Sequence, residues 1–290
     1  MNVAIVLVTY NRLTYTRKCL DRLLSDPVSD FELYLWDNAS TDETPDYLKA
    51  LKDPRIKEVI LHRENPGPTF ALNAVWSNSK AELLGKLDND CLVSPGWVKP
   101  LAQAHRDIEQ LGVVACWHFR SEDFDETIAK RKIQTLGGHR VFRHPWVCGS
   151  GFLVKRSTYE RIGPVAQGDR RHALTGFFMD VALAGGINGW YYPFVMQEHM
   201  DDPLSPHCLF KDDASMAALR EITYTMRTHN IKTYAQRLKR RAVVLASLHY
   251  GPSDPQAYCG WAGRLRRRLP GLDRVRHWLV NGRPVLEATA

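Results

Sequence analysis

Four short apolar runs in the first ninety residues constrain this chain most: Val3 to Val8 (VAIVLV), Phe31 to Trp36 (FELYLW), Ile56 to Leu61 and Leu83 to Leu87. The first is continuously apolar and rich in β-branched residues. A run this short with no polar alternation reads as a strand covered on both faces, as in a parallel sheet. Helical spacing follows each of the first three. Tyr15, Cys19, Leu20, Leu23 and Leu24 share one face of a helix, NASTDETPDYLKAL opens another with Ser40 or Thr41 as its cap, and ENPGPTFALNAVWSNS turns at Pro and Gly into a third. Strand and helix in alternation give an α/β domain.

In such sheets ligands bind beyond the carboxyl ends of the strands. Thr9-Tyr10-Asn11-Arg12, Asp37-Asn38, Arg63-Glu64-Asn65 and Asp88-Asn89-Asp90 all follow strand ends. The topology therefore gathers four polar clusters on one edge. Asp88 and Asp90, two residues apart, repel each other and require a compensating cation or donor. They either cap the turn after the strand or hold a metal.

After Trp97 the pattern changes. A helix is expected over Pro100 to Leu111, a strand over Val113 to Phe119, a polar loop at SEDFDETIAKRK, and a hairpin around Gly137-Gly138. Ser157 to Ile162 reads as a short helix, TGFFMDVALAGGINGWYYP as helix, turn and strand, and Ser215 to Tyr250 as mostly helical.

Charge separates the two ends. From Ala214 onward there are 14 Lys/Arg against 4 Asp/Glu, and before it 25 against 28, so the excess of +7 resides in the tail. Such a tail either meets an anionic partner or is a solvated helical face. Trp261, Leu265, Leu269, Leu272, Val275, Trp278 and Leu279 form an apolar stripe among its arginines. The stripe lies in a membrane interface or packs on the domain. The six cysteines include no Cys-x-x-Cys pair, which fits a reducing compartment. No apolar run approaches the ~20 residues of a bilayer span. The N-terminus has no basic stretch before its apolar run, as a secretory signal would. The expectation is a cytoplasmic protein, peripheral at the inner face of a membrane if it meets one.

VAIVLVTYNR, LWDNASTDET, RENPGPTFALNAV and LLGKLDND together resemble, in order and spacing, the signatures of family 2 glycosyltransferases with the GT-A fold. The likeness spans roughly residues 1–200. It implies an α/β, Rossmann-like mixed sheet flanked by helices, with a helical, basic C-terminal extension. The expected division is a catalytic domain over 1–213, with a nucleotide-binding half to 97 and an acceptor-side half over 98–213, then the extension over 214–290.

The resemblance also implies an inverting transfer of one sugar from a nucleotide-diphosphate sugar to an acceptor hydroxyl, aided by Mn²⁺ or Mg²⁺. It assigns Thr9, Tyr10, Asn11, Arg12, Asp37, Arg63, Asn65, Gly67, Asn73, Asp88 and Asn89 to the donor. Asp37 would accept from a ring N–H of the base, which favours UDP- or dTDP-sugars over GDP-sugars. Asp90 and His199 would hold the metal, with Glu198, Asp201 and Asp202 competing for the place of His199. Asp180, in GFFMDVAL, would be the general base, its basicity raised among Phe177, Phe178 and Met179. Trp146, Gly149 and Ser150 would line the acceptor side, where an indole either stacks on a sugar or joins the core.

There are departures from the family pattern. Leu72 replaces a common Arg, Val75 a common Gly, and GPVAQGD a Gly-Gly-Phe-Asp stretch. The Gln-x-x-Arg-Trp motif of processive synthases is absent. A glycan or glycolipid acceptor is expected. The alternatives are a modified base in DNA, held through the basic tail, and a non-catalytic nucleotide-sugar-binding protein.

Overall fold

The computed structural model describes residues 2–27, 30–167, 173–220 and 230–247. The first half runs β1 (Val3–Thr9), α1 (Leu13–Leu24), β2 (Glu32–Asp37), α2 (Thr44–Ala50), β3 (Ile56–Leu61), α3 (Pro68–Asn78), β4 (Leu83–Asp88) and β5 (Cys91–Val93). The second runs α4 (Val98–Asp107), β6 (Leu111–Ala115), α5 (Glu126–Ala129), β7 (Ile133–Leu136), β8 (His139–Arg143), β9 (Phe152–Lys155), α6 (Arg156–Ile162), α7 (Ala173–Leu183), β10 (Ile187–Tyr192) and β11 (Gln197–His199), followed by α8 (Asp213–Arg220) and α9 (Ile231–Ser247).

Nine strands form one sheet in the order β3-β2-β1-β4-β9-β6-β10-β8-β7. The first four are parallel. The register aligns Thr9 with Asp37 and Val8 with Asp88, so the polar residues after β1, β2 and β4 meet on one edge. Strand β9 enters antiparallel between β4 and β6, which makes the sheet mixed. Hairpin β7-β8 turns at Gly137 and Gly138, with φ of 52° and 82°. Both values are left-handed, as this kind of two-residue turn requires.

The apolar pattern of β1 is legible in the packing. Val3, Ile5 and Leu7 join one buried cluster with residues of α1 and α4, while Ala4, Val6 and Val8 join another with α3 and α7. Alternate side chains of one strand feed two cores, which is why the run carries no polar residue.

The first part of the basic extension belongs to this packing. Met216 of α8 is buried against Cys208 and Phe210. Ala242, Leu245 and Ala246 of α9 enter the α3/α7 core, while Lys239 and Arg240 face solvent. Lys132 Nζ, itself buried, donates to the Leu245 carbonyl at 2.6 Å. Here the apolar face packs and the cations are solvated. The stripe from Trp261 to Leu279 lies outside the described residues. Among those described, no helix is long and apolar enough to cross a membrane.

Candidate functional site: a carboxylate and histidine cluster on the sheet edge

The edge of β1 is built under backbone strain. Asn11, Arg12 and Ala39 take φ of 52°, 63° and 61°, where non-glycine residues are uncommon. Side chains hold them there. Asn11 N donates to Ser40 Oγ at 2.7 Å, and Asn11 Oδ1 accepts from Thr41 N at 2.8 Å. Asp37 is 1% exposed and accepts from Thr9 Oγ1 at 2.8 Å and Ser40 N at 2.8 Å, and also from Ser40 Oγ. Asp37, expected as a contact to the base, thus ties together the two loops that frame the edge.

Asp88 and Asp90 receive different cations. Asp88, ending β4, is paired with Lys86, whose Nζ also donates to Gly149 O at 2.8 Å. The Asp88 amide donates to Ser150 Oγ at 2.9 Å. Gly149 and Ser150 therefore lie beside Asp88. Trp146 is half-buried against the core, edge-on to His144 at 4.1 Å.

Asp90 is 7% exposed and meets Arg12 Nη2 at 3.0 Å and His199 Nε2 at 3.6 Å. Strand β11 delivers the histidine by pairing antiparallel with β5, placing His199 opposite Cys91. The Met200 amide closes the arrangement by donating to Asp90 O at 2.8 Å. Arg12 also donates to Asn89 Oδ1 at 3.1 Å and, through Nη1, to Asp201 Oδ2 at 2.9 Å. Burial opposes ionisation of Asp90, but the neighbouring His199 and Arg12 charges outweigh it and hold that carboxyl below the usual range. Burial and the Asp90 charge push Asp201 the other way.

The donor set fits a divalent cation. A carboxylate and an imidazole suit Mn²⁺. Asp201 Oδ1 is buried and meets no hydrogen-bond donor at bonding geometry among the described residues. Cys91 lies in the same cluster. Burial pushes its thiol well up, so it stays protonated, and it donates to Asp90 Oδ1 at 3.4 Å. Cys91 therefore orients the carboxylate. It went unnoticed in the sequence, as did Lys86, although a lone cation inside a buried strand is a signal that an anion waits nearby.

Other assigned residues follow the strand ends or lie at α3. Gly67, buried at φ 93°, precedes α3, and its amide donates to Asn65 Oδ1 at 3.1 Å. Arg63 is exposed after β3, and Tyr10 is half-buried after β1. Asn73 faces away from the edge. Its Nδ2 donates to Val165 O at 2.8 Å, and its Oδ1 accepts from Val165 N at 3.0 Å and Tyr159 Oη at 3.3 Å. These bonds join α3 to the segment after α6.

Asp180 needs correction as an acid opening a helix among aromatics. It is the eighth residue of α7 and exposed, whereas Phe177, Phe178 and Met179 are buried. Helix α7 begins at the site edge, where Leu174 lies against Gly149, and it ends beside the start of β10. Asp180 is six residues below Leu174, about 9 Å along the axis.

Comparisons with known proteins bear on the family and the fold. Residues 4–163 match the family described as Glycosyl transferase family 2. The chain is 32% identical over 99 residues to a chondroitin synthase of Pasteurella multocida, covering 33% of this chain and 10% of that protein. It is 24% identical over 180 residues to glycosyltransferase GlyG of Streptococcus pneumoniae, covering 61% and 54%. It thus spans a small part of the first of these relatives and about half of the second.

Among solved structures, the mannosyltransferase PcManGT of Pyrobaculum calidifontis, in complex with GDP-Man and Mn²⁺, aligns with a TM-score of 0.58 at 20% identity, over 96% of this chain and 83% of that one. S. aureus TarS 1–349 in complex with UDP also aligns at 0.58, at 12% identity, over 99% and 76%. At these identities the likeness is one of fold, and the fold is GT-A. With more than half its length matched by the family model, and with the edge that the family's motifs describe, this chain belongs to glycosyl transferase family 2.

Proposed function

We propose that this protein is an inverting glycosyltransferase that moves a single sugar from a nucleotide-diphosphate sugar to a hydroxyl of a glycan or glycolipid. The observation that carries the reading is the convergence of Asp90 and His199, 3.6 Å apart, at the carboxyl edge of the parallel half-sheet. A diphosphate leaving group gains negative charge as the glycosidic bond breaks. Asp90 and His199 would hold a divalent ion, and its charge would oppose the one that develops there.

The chain's own residues prepare the ground. The network of Thr9, Asp37 and Ser40 fixes the edge so that little ordering is left for the moment of binding. Lys86 and Ser150 tie Asp88 to the segment before β9, which fastens the expected donor residues to the expected acceptor residues. Neighbours of the same fold hold GDP-Man or UDP, which supports a nucleotide-sugar donor without choosing the base.

The test is thermal stabilisation of the purified protein by UDP, dTDP and GDP and their sugars, with and without Mn²⁺. A ligand that binds only the folded state raises the melting temperature. The expected result is a metal-dependent shift with one nucleotide, abolished in Asp90→Asn. A folded protein that responds to no donor would point to the non-catalytic reading.

A further inference from the structure

The Arg12 guanidinium bridges two buried carboxylates, Asp90 through Nη2 and Asp201 through Nη1, and bonds Asn89 as well. Asp201 is 2% exposed, and Arg12 is little more exposed in its side chain, at 10%. The family resemblance assigns this arginine to the donor. The strained φ of 63° at the start of α1 turns it inward instead. Arg12 Nη2 and His199 Nε2 both approach the same oxygen, Asp90 Oδ2. That oxygen is the one a cation would share with His199. The triad of one arginine and two ionised aspartates is one positive charge short of neutral, so buried negative charge remains after Arg12 has been counted.

We propose that Arg12 is the built-in cation of this site: it holds Asp90 in place in the absence of metal, competes with a divalent ion for Oδ2, and is retained by Asp201 when the ion takes Asp90. The inference rests on the metal reading above. Three features support it. Asp201 supplies a second anchor that does not depend on Asp90. The segment carrying Asp201 is itself fastened to α1, since Tyr15 Oη donates to Met200 O at 3.3 Å and accepts from Leu209 N at 2.9 Å. Asn89 offers Nη2 an alternative acceptor, so an arginine leaving Asp90 keeps a partner for that nitrogen. Arg12 is in this sense a positioning residue, acting through Asp90.

The test is Mn²⁺ binding, followed by electron paramagnetic resonance of the free ion, for the wild-type chain, Arg12→Gln, Arg12→Lys and Asp201→Asn. Removing a unit positive charge a few ångströms from a divalent ion should raise metal affinity about tenfold even with water-like screening. Arg12→Gln should therefore bind Mn²⁺ at least tenfold more tightly. It should melt lower than wild type without metal and recover with it, which also reports that it folds. Arg12→Lys keeps the charge and should stay near the wild-type affinity. Asp201→Asn leaves Asp90 as the only carboxylate on the arginine and should weaken Mn²⁺ binding. Equal or weaker binding in a folded Arg12→Gln overturns the competition while leaving the metal site intact. Absence of Mn²⁺ binding in the wild type, with Asp90→Asn indistinguishable, overturns the metal reading and this inference with it.

Discussion

Two carboxylates separated by one residue look alike in a sequence, yet their surroundings here differ. Asp88 is half-exposed and held by the buried Lys86, whereas Asp90 is buried and shared by Arg12, His199 and Cys91. Asp90→Asn should reduce transfer by 10² or more in a sugar-transfer assay, because it removes charge stabilisation at the leaving group. Asp180→Asn is the contrasting case. Its exposed position in the last turn of α7 predicts activity within a few-fold of wild type. A loss of 10² or more would return the base role to it. The divergence has a plain cause: GFFMDVAL places one acid in a matching stretch, but only the start and direction of α7 decide whether that acid meets the edge. Lys86 was legible in principle, since a buried ammonium requires an anion.

At the scale of elements, three contacts between segments distant in sequence hold the site together. The β5-β11 pair brings His199 to Asp90, the Lys86 and Ser150 contacts bring the loop before β9 to β4, and Asn73 locks α3 to the loop after α6. Asn73→Ala leaves the Val165 amide and carbonyl without their partner and should cost about 1–3 kcal/mol in chemical denaturation. Its effect on donor affinity should be small, which separates a fastener from a ligand. Gly151, at φ 62°, is another such point. A Cβ there would lie 1.8 Å from Gln197 Oε1, so Gly151→Ala should destabilise the protein and disturb β11. The strands and helices of the first half follow their sequence signals, except that α2 starts at Thr44 after Glu43 rather than from a Ser40 or Thr41 cap. The β5-β11 ribbon does not, because three-residue strands carry too little pattern to be seen before their partner is known.

The whole molecule depends on its tail and on pH. Helix α9 contributes Ala242, Leu245 and Ala246 to the core and accepts Lys132 at the Leu245 carbonyl. A chain ended after residue 230 should therefore melt lower, by about 3 kcal/mol of stability, rather than lose a detachable appendage at no cost. Acid should act through buried histidines. Burial lowers His105 to about 3, and its Nε2 donates to Leu153 O at 3.0 Å. His118 and His144 are pushed down in the same way, by burial. An unfolded histidine titrates near pH 6.5. Below that pH the unfolded chain takes up protons that the folded one refuses, so stability is complete above about 6.5 and falls as pH drops toward 3. Melting temperatures measured across that window should decline, and His105→Gln should flatten the slope.

The sequence by itself determined the family, the parallel half-sheet and the edge on which polar residues gather. Those follow from local spacing: continuous apolar strands, capped helices and a short run of motifs. Tertiary structure alone decided which polar groups touch. Arg12 turned inward because a left-handed backbone and two buried aspartates outweigh its tendency to seek solvent. Asp180 ended in the exposed last turn of α7, six residues after the Leu174 that packs beside Gly149. Periodicity tells which face of an element is buried, but the charge partner of a buried group comes from a distant segment, and only the closed fold brings that segment near.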